Sequence, residues 1–77
     1  MQVTVQVEGH LRQYFPALAT PHAVTVQGAL TVADVLAAVG VPAELPAAVL
    51  CNKARVEIHH AVCDGDALVL LSPLAGG

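Results

Sequence analysis

The chain has 77 residues, of which 56% are hydrophobic and 12% charged, and its formal net charge is −3. This length suits one small domain, and a chain so short needs a high apolar content to build a core. The three basic residues, Arg12, Lys53 and Arg55, are too few and too scattered to form a basic patch. Nucleic acid is therefore not an expected partner.

Neither a membrane span nor an export signal is predicted. The apolar stretch 35–52 is interrupted by glycine, proline and glutamate residues and falls short of a clean span. The first ten residues alternate in period two and lack the basic start of a signal peptide. We therefore expect a cytoplasmic protein that makes no membrane contact, with Cys51 and Cys63 as reduced thiols.

The first part of the chain predicts two strands. Valines alternate with polar residues over 3–7, which is typical of a half-buried strand. Residues 23–26 predict a second strand that forms a hairpin with the first. The segment 11–16 is predicted as a connection, because the prolines at 16 and 21 prevent a long helix.

One helix follows the second strand. Thr31 is the predicted N-cap residue, and Asp34 places a negative charge in the first turn. Apolar side chains recur at helical spacing over 32–39. Gly40 is predicted to end the helix.

The remainder of the chain predicts three strands and two turns. Residues 47–51 form a strand, 52–53 a tight turn and 55–58 a short edge strand. The sequence Asp-Gly-Asp at 64–66 is a strong turn signal. The nearly continuous apolar run 67–71 predicts a last strand that is buried on both faces and central in the sheet.

The last six residues, 72–77, read Ser-Pro-Leu-Ala-Gly-Gly and carry no further strand or cap signal. Terminal glycines suit a narrow channel, because they have no Cβ. The four residues after Pro73 reach about 13 Å when extended. The carboxylate of Gly77 is ionised at neutral pH and needs activation before it can react. The pattern indicates a carrier arm with a reactive end; a frayed terminus is the alternative interpretation.

Four histidines and two cysteines raise the question of a metal site. Cys51, His59, His60 and Cys63 lie close in sequence, but their spacing is not that of an established zinc motif, so no metal is expected. Cys51 lies in an apolar strand and is predicted to be a buried hydrophobic residue. For Cys63, next to Asp64, the alternatives are an exposed surface residue and a thiol that relays a bound group.

Several short motifs, weak one by one, occur here in a specific order and spacing. They are Val3-Thr4-Val5, Leu11-Arg12-Gln13-Tyr14, Thr31-Val32-Ala33-Asp34-Val35-Leu36, Asn52 after an apolar strand, Asp64-Gly65-Asp66, and Ser72-Pro73-Leu74-Ala75-Gly76-Gly77. The combination resembles the MoaD/ThiS family of sulfur carriers, most closely the small subunits of molybdopterin synthase. The resemblance implies an α+β fold of the β-grasp (ubiquitin-like) type, with a mixed sheet of four to five strands covered by one helix. It also implies a single domain over 1–71 and a flexible Gly-Gly tail over 72–77.

The resemblance implies a two-stage activity for the Gly77 carboxylate. An E1-like enzyme adenylates it with ATP, and a sulfur donor such as a cysteine desulfurase or rhodanese converts it to a thiocarboxylate. The thiocarboxylate then gives its sulfur to a large synthase subunit or another acceptor enzyme, with molybdopterin (molybdenum cofactor) biosynthesis as the expected pathway. The chain itself binds no cofactor and supplies no catalytic side chain.

The remaining site predictions concern the tail and its surroundings. Leu74, Ala75 and Gly76 carry Gly77 into the partner, and Leu71 and Pro73 are candidate docking residues. The alternatives are a sulfur carrier for thiamine, tRNA thiolation, cysteine or a specialised metabolite, a ubiquitin-like protein modifier, and a plain interaction module. The family's usual Pro-Pro is Ser72-Pro73 here, which puts the identity of the partner in question.

Overall fold

The main sheet has five strands in the order β2-β1-β7-β4-β5. The computed structural model describes residues 1–28 and 30–72, with Leu30 described by its backbone alone. The five strands are β1 (Gln2–Val7), β2 (His22–Thr25), β4 (Ala48–Cys51), β5 (Ala54–Val56) and β7 (Ala67–Leu71). The other elements are α1 (Leu11–Tyr14), a 3-10 turn (Pro16–Leu18), β3 (Leu30–Thr31), α2 (Val32–Val39) and β6 (Ala61–Val62).

Strand β7 occupies the middle of the sheet, as predicted. It runs parallel to β1, with Val5 beside Leu68, and antiparallel to β4, with Val49 beside Leu70. The other pairings, β1 with β2 and β4 with β5, are antiparallel. The sheet is therefore mixed, and the last predicted strand joins its two halves.

Helix α2 covers one face of this sheet and forms the core with it. Leu36 of α2 packs in the same buried cluster as Leu68 and Leu70 of β7, and all three side chains are fully buried. The core consists mainly of valine and leucine, which fits a chain with only one tyrosine and one phenylalanine.

The predicted signals at both ends of α2 are confirmed. Thr31 Oγ1 accepts the Asp34 N–H, and the Asp34 carboxylate accepts the Thr31 N–H at 2.9 Å, so the two residues form a capping box. The first helical amides also donate to loop carbonyls, Val32 N to His60 O and Ala33 N to Ile58 O. Gly40 ends the helix at a φ of 82°, a conformation that glycine adopts without steric cost.

Three local features go beyond the predictions or differ from them. The connection 11–16 contains the single helical turn α1, and a 3-10 turn follows it. The short edge strand spans Ala54–Val56 rather than 55–58. A second, two-stranded sheet pairs β3 with β6, with Leu30 opposite Val62. Strands of two residues are too short to show an alternating pattern, which is why the sequence did not reveal them.

The prediction that β7 is buried on both faces is wrong. Leu68 and Leu70 are fully buried, but Val69 and Leu71 are half-buried and Ala67 is exposed. One helical layer can cover one face of a sheet, so the alternate side chains of β7 lie on the open outer face.

Within residues 1–28 and 30–72, the helices are too short to cross a membrane.

Candidate functional site

The chain leaves the sheet from the end of its central strand. The Leu70 carbonyl accepts the Glu8 N–H at 2.9 Å, and the Leu71 carbonyl accepts the Ala47 N–H at 2.8 Å. Backbone hydrogen bonds therefore hold β7 up to Leu70 on the β1 side and up to Leu71 on the β4 side. Ser72, the next residue, is 3% exposed. We call this region, Ala47 with Leu71 and Ser72, the tail end of the sheet.

Four half-buried apolar side chains lie together on the open face beside the tail end. They are Ala48 and Leu50 of β4 and Val69 and Leu71 of β7. Val69 lies beside Leu50, and Leu71 lies beside Ala48 in the strand register. We call these four residues the outer-face patch. Side chains that remain half in water on a contiguous surface suit contact with another protein.

A shallow groove borders this patch. It has a volume of about 380 Å³ and lies between the start of β4 and the edge strand β5. Its walls include Pro46 and Ala48 on one side and Arg55 and Glu57 on the other. Arg55 lies opposite Leu50 in the register, so a basic side chain flanks the apolar patch.

The opposite end of the sheet is organised around Asn52. This residue follows β4 and adopts a positive φ of 52°, and Lys53 follows with a φ of 74°. Two successive positive φ angles in a two-residue hairpin loop correspond to a type I′ turn. The Asn52 side chain accepts the Ala67 N–H at 3.0 Å and donates to Asp66 at 2.9 Å. Asn52 thus joins the β4–β5 turn to the start of β7.

The Asp-Gly-Asp turn at 64–66 reverses the chain and also forms hydrogen bonds to the start of β1. The Asp64 carboxylate accepts the Gln2 N–H at 2.6 Å, and the Gly65 N–H donates to the Gln2 carbonyl at 2.7 Å. The Asp66 carboxylate accepts the Cys63 N–H at 2.8 Å. Hydrogen bonds from the Cys63 backbone and the Asn52 amide lower the pKa of Asp66. We call residues 52–53 with 63–66 the turn end of the sheet.

Cys63 belongs to the turn end, and Cys51 directly precedes it as the last residue of β4. Cys51 is buried, as predicted, while Cys63 is exposed. Burial raises the pKa of the Cys51 thiol, and the nearby Asp66 carboxylate raises it further. The thiol is therefore a poor nucleophile at neutral pH. Five residue steps along the chain, about 17 Å, separate Asp66 of the turn end from Leu71 of the tail end, so a sulfur on Cys63 lies far from the start of the tail.

The candidate metal ligands do not converge. Among residues 1–28 and 30–72, no group of three or more histidine, cysteine or acidic side chains has the arrangement of a metal site.

The predicted site residues fall into two groups. Leu71 lies half-buried at the tail end, where it can contact a partner. Pro73, Leu74, Ala75, Gly76 and Gly77 lie outside the described residues. The docking role of Leu71 stays a prediction.

Sequence reasoning overlooked the neighbours of Leu71 on the open face, namely Ala48, Leu50 and Val69. The run 48–51 alternates between half-buried and buried residues, but every one of its side chains is apolar, which hides that alternation in the sequence. The register between β4 and β7 is needed to bring these residues together.

Two solved structures share this architecture. The crystal structure of SAMP1 from Haloferax volcanii superimposes with a TM-score of 0.77 at 25% identity, and the alignment covers 100% of both chains. A crystal structure of small archaeal modifier protein 1, also from H. volcanii, gives a TM-score of 0.75 at 22% identity and covers 95% of this chain and 98% of that one. The predicted β-grasp, ubiquitin-like fold is confirmed. No protein with a curated description matches the chain.

The sequence model of one family, described as Mut7-C ubiquitin, matches residues 1–73. This match spans every described strand and helix. It agrees with the ubiquitin-like family of the MoaD/ThiS type that the motifs indicated. The chain belongs to the Mut7-C ubiquitin family.

Proposed function

We propose that this protein is a sulfur carrier whose working group is the carboxylate of Gly77. The observation that carries the proposal is the position of β7. This strand is central, backbone hydrogen bonds hold it on both sides near its end, and its last residue, Leu71, lies in an open apolar patch. A carrier needs this combination, because the partner must grip a rigid body while the terminal residues enter its active site.

The chemistry belongs to the partners. An E1-like enzyme transfers AMP from ATP to the carboxylate, and pyrophosphate leaves. The sulfur of a donor persulfide then displaces AMP, and a second thiol cleaves the resulting acyl disulfide to leave a thiocarboxylate on Gly77. The donor is a cysteine desulfurase or rhodanese. Of the possible acceptors, we propose the large subunit of a molybdopterin synthase, on the strength of the sequence resemblance.

The outer-face patch is the proposed docking surface for these partners. Leu50, Val69 and Leu71 are half-buried, so their burial in a complex removes further apolar area from water. The patch includes Leu71, the last residue of β7, so a partner docked on it would lie next to the start of the tail.

The test is an intact-mass measurement after incubation with a cognate E1-like enzyme, ATP and a persulfide donor. We expect the mass gain of one oxygen-to-sulfur replacement, located at Gly77 by fragmentation. An intact mass taken before incubation is compared with the mass calculated from the sequence, and agreement shows that Gly77 carries a free carboxylate. A chain truncated after Ala75 should remain unchanged. An unmodified full-length chain with every cognate activating enzyme would contradict the proposal.

The docking surface needs a separate comparison. Leu50→Lys places a charge in the outer-face patch, and we expect it to slow thiocarboxylate formation by at least about tenfold. Ala37→Lys is a matched control, because Ala37 is exposed on α2, which covers the other face of the sheet. Equal rates for the two variants would show that partners do not use the patch.

A second function, protein modification, is favoured by the likeness to SAMP1 from Haloferax volcanii, a small archaeal modifier protein, over the full length of both chains at 25% identity. In this case a lysine amine of a target attacks the adenylated Gly77, and AMP leaves as the isopeptide bond forms. High-mass adducts that survive denaturation and disappear after deletion of Gly76 and Gly77 would establish it. Absence of adducts in cells that retain the activating enzyme would exclude it.

A further inference from the structure

The acidic residues of the chain divide into two classes by the contacts of their side chains. All three aspartates form hydrogen bonds that stabilise the fold: Asp34 in the capping box, Asp64 to the start of β1, and Asp66 to the turn end. The three glutamates lie at positions 8, 44 and 57. The Glu8 carboxylate is half-buried, and the other two are exposed. The carboxylates that can meet a partner are therefore those of the glutamates.

Two of these glutamates flank the outer-face patch at the tail end. Ala48 and Leu71 are neighbours in the register of β4 against β7. The register of β1 against β7, continued by one residue, places Glu8 beside Leu71, and the Glu8 N–H donates to the Leu70 carbonyl there. The register of β4 against β5, continued in the same way, places Glu57 beside Ala48. We call this line across the sheet, Glu8, Leu71, Ala48 and Glu57, the tail row.

Both carboxylates of the tail row belong to the open face of the sheet. Val5 and Val7 are buried, so the alternate positions 6 and 8 lie on the open face, and the Gln6 amide donates to the Glu8 carboxylate at 3.4 Å. Glu57 is exposed and lines the groove that borders the patch. Neighbouring strands are about 4.8 Å apart, so three strand steps put the backbones of Glu8 and Glu57 about 14 Å apart.

The next row toward the turn end carries a different pattern of charge. In the register of the four strands this second row consists of Gln6, Val69, Leu50 and Arg55. An uncharged amide and a guanidinium flank its apolar pair, whereas carboxylates flank both sides of the tail row. Of the other two basic residues, Lys53 lies at the turn end and Arg12 on α1, whose Leu11 packs in the core on the covered face. On the β5 side of the patch, the charge therefore changes sign between the two rows.

This pattern specifies the charges of a partner surface that covers the patch. A carboxylate buried against an apolar or acidic surface loses its hydration and gains no counter-charge, which is unfavourable. A surface with a basic group at each end of the tail row and an acidic group at Arg55 avoids this cost at all three positions. The two basic groups would then lie on either side of Leu71, the last residue of β7.

We propose that the E1-like enzyme docks on the outer-face patch through an apolar surface flanked by two basic side chains, about 14 Å apart, that pair with Glu8 and Glu57, and by an acidic side chain that pairs with Arg55. The identity of this partner rests on the proposed function, while the charge pattern rests on the described residues alone. Arginine suits the two basic positions, because its planar guanidinium matches a carboxylate. The three pairs fix the orientation of the docked chain and speed its association.

Binding without chemistry tests the charge pattern. The full chain is titrated with the E1-like enzyme of the same organism in the absence of ATP, at about 50 mM salt, where charge effects are large. The double variant Glu8→Gln with Glu57→Gln removes both charges and keeps the size of both side chains. We expect its dissociation constant to be about fivefold higher than that of wild type, mainly through slower association, and the difference to shrink at about 0.5 M salt. An unchanged dissociation constant would overturn the proposal.

Two further variants separate paired charges from a general attraction between the chain and a basic enzyme. Glu44→Lys changes the net charge by as much as the double variant, but Glu44 is an exposed loop residue outside both rows, so we expect less than about a twofold change. Arg55→Gln makes the chain more negative. General attraction would then tighten binding, whereas loss of a pair should weaken it about threefold. Tighter binding of Arg55→Gln, or equal losses in Glu44→Lys and the double variant, would contradict the proposal.

The binding and mass measurements together distinguish this proposal from the proposed function. An enzyme that adenylates the chain but binds the double variant as tightly as wild type would refute the charge pattern and leave the carrier function standing. An enzyme that binds with the expected dependence on charge but yields no thiocarboxylate with any persulfide donor would refute the carrier function and support the docking surface. Absence of binding would overturn the charge pattern whatever the mass measurement shows.

Discussion

The two ends of the sheet are built in different ways. At the turn end, side chains of Asn52, Asp64 and Asp66 bond to the backbone or to one another and link β1, β4 and β7. At the tail end, backbone hydrogen bonds from Glu8 and Ala47 hold β7 in place. Backbone bonds survive almost any substitution, so the tail end can change its side chains for binding while the turn end keeps the strands in register.

The largest loss of stability should follow from the substitution Asn52→Ala at the turn end. The variant loses both side-chain hydrogen bonds and places alanine at a positive φ, so we expect the free energy of unfolding to fall by about 3 kcal/mol. Urea unfolding measures it. Asn52→Gly separates the causes, since it keeps the backbone angle accessible and should cost about 2 kcal/mol. If Asn52→Ala unfolds with a free energy within about 0.5 kcal/mol of wild type, the side-chain hydrogen bonds do not stabilise the turn end, and the contrast with the tail end is wrong.

Asp66→Asn should lower the free energy of unfolding by less, and it should change how that free energy depends on pH in acid. Hydrogen bonds from Cys63 and Asn52 hold the folded pKa of Asp66 below its ordinary value of 3.8. The stability that these bonds contribute is fully present above 3.8 and is lost as the pH falls through the lower folded pKa. We expect Asp66→Asn to lose about 1–2 kcal/mol at neutral pH and to show a flatter decline of stability in acid. Parallel stability curves against pH would refute the role assigned to this carboxylate.

Lys53→Gly should raise the stability of the fold, whereas the two preceding substitutions lower it. Lys53 adopts a φ of 74° in the type I′ turn, where glycine is preferred, so we expect a gain of about 1 kcal/mol after the entropy of the unfolded glycine is counted. Thermal unfolding measures the gain. Lys53→Ala removes the charge and keeps the strained angle, so it should leave the melting temperature nearly unchanged. If Lys53→Ala raised the melting temperature by a similar amount, the gain would come from removal of the charge and not from the backbone angle.

The smallest effect on stability is expected at the tail end, from Leu71→Thr. The side chain is half-buried, and the hydrogen bond from Ala47 uses the backbone of residue 71, so we expect a loss below about 1 kcal/mol. The rate of reaction with an activating enzyme should nevertheless fall severalfold. A large loss of stability with an unchanged rate would mean that Leu71 serves the fold and not the partner.

The sequence predicted those elements whose signals are local. The valines of 3–7, the Thr31 and Asp34 capping pair, Gly40 and the Asp-Gly-Asp turn each define their structure through neighbouring residues. The central place of β7 was also predicted correctly from its apolar run. Its two-sided burial was not, because an apolar run alone does not reveal how many layers cover the sheet.

The surroundings of the site depend on residues distant in sequence. The outer-face patch needs the register of β4 against β7. The hydrogen bonds of Asn52 reach Asp66 and Ala67, more than a dozen positions away. Long-range pairing of this kind leaves no trace in the periodicity of a single segment, so sequence reasoning could not predict the patch, while the role of the tail stays a prediction.

The parallel pairing of β1 with β7 has a consequence for synthesis of the chain. Strand β1 finds its inner neighbour in β7, with Val5 beside Leu68. The sheet cannot close around its centre until the chain has emerged as far as Ala67–Leu71, and such non-local pairing slows folding. A product that ends before β7 lacks the central strand, so we expect it to have no stable sheet. Completion of the fold therefore depends on the strand that is translated after all the others that the structure describes.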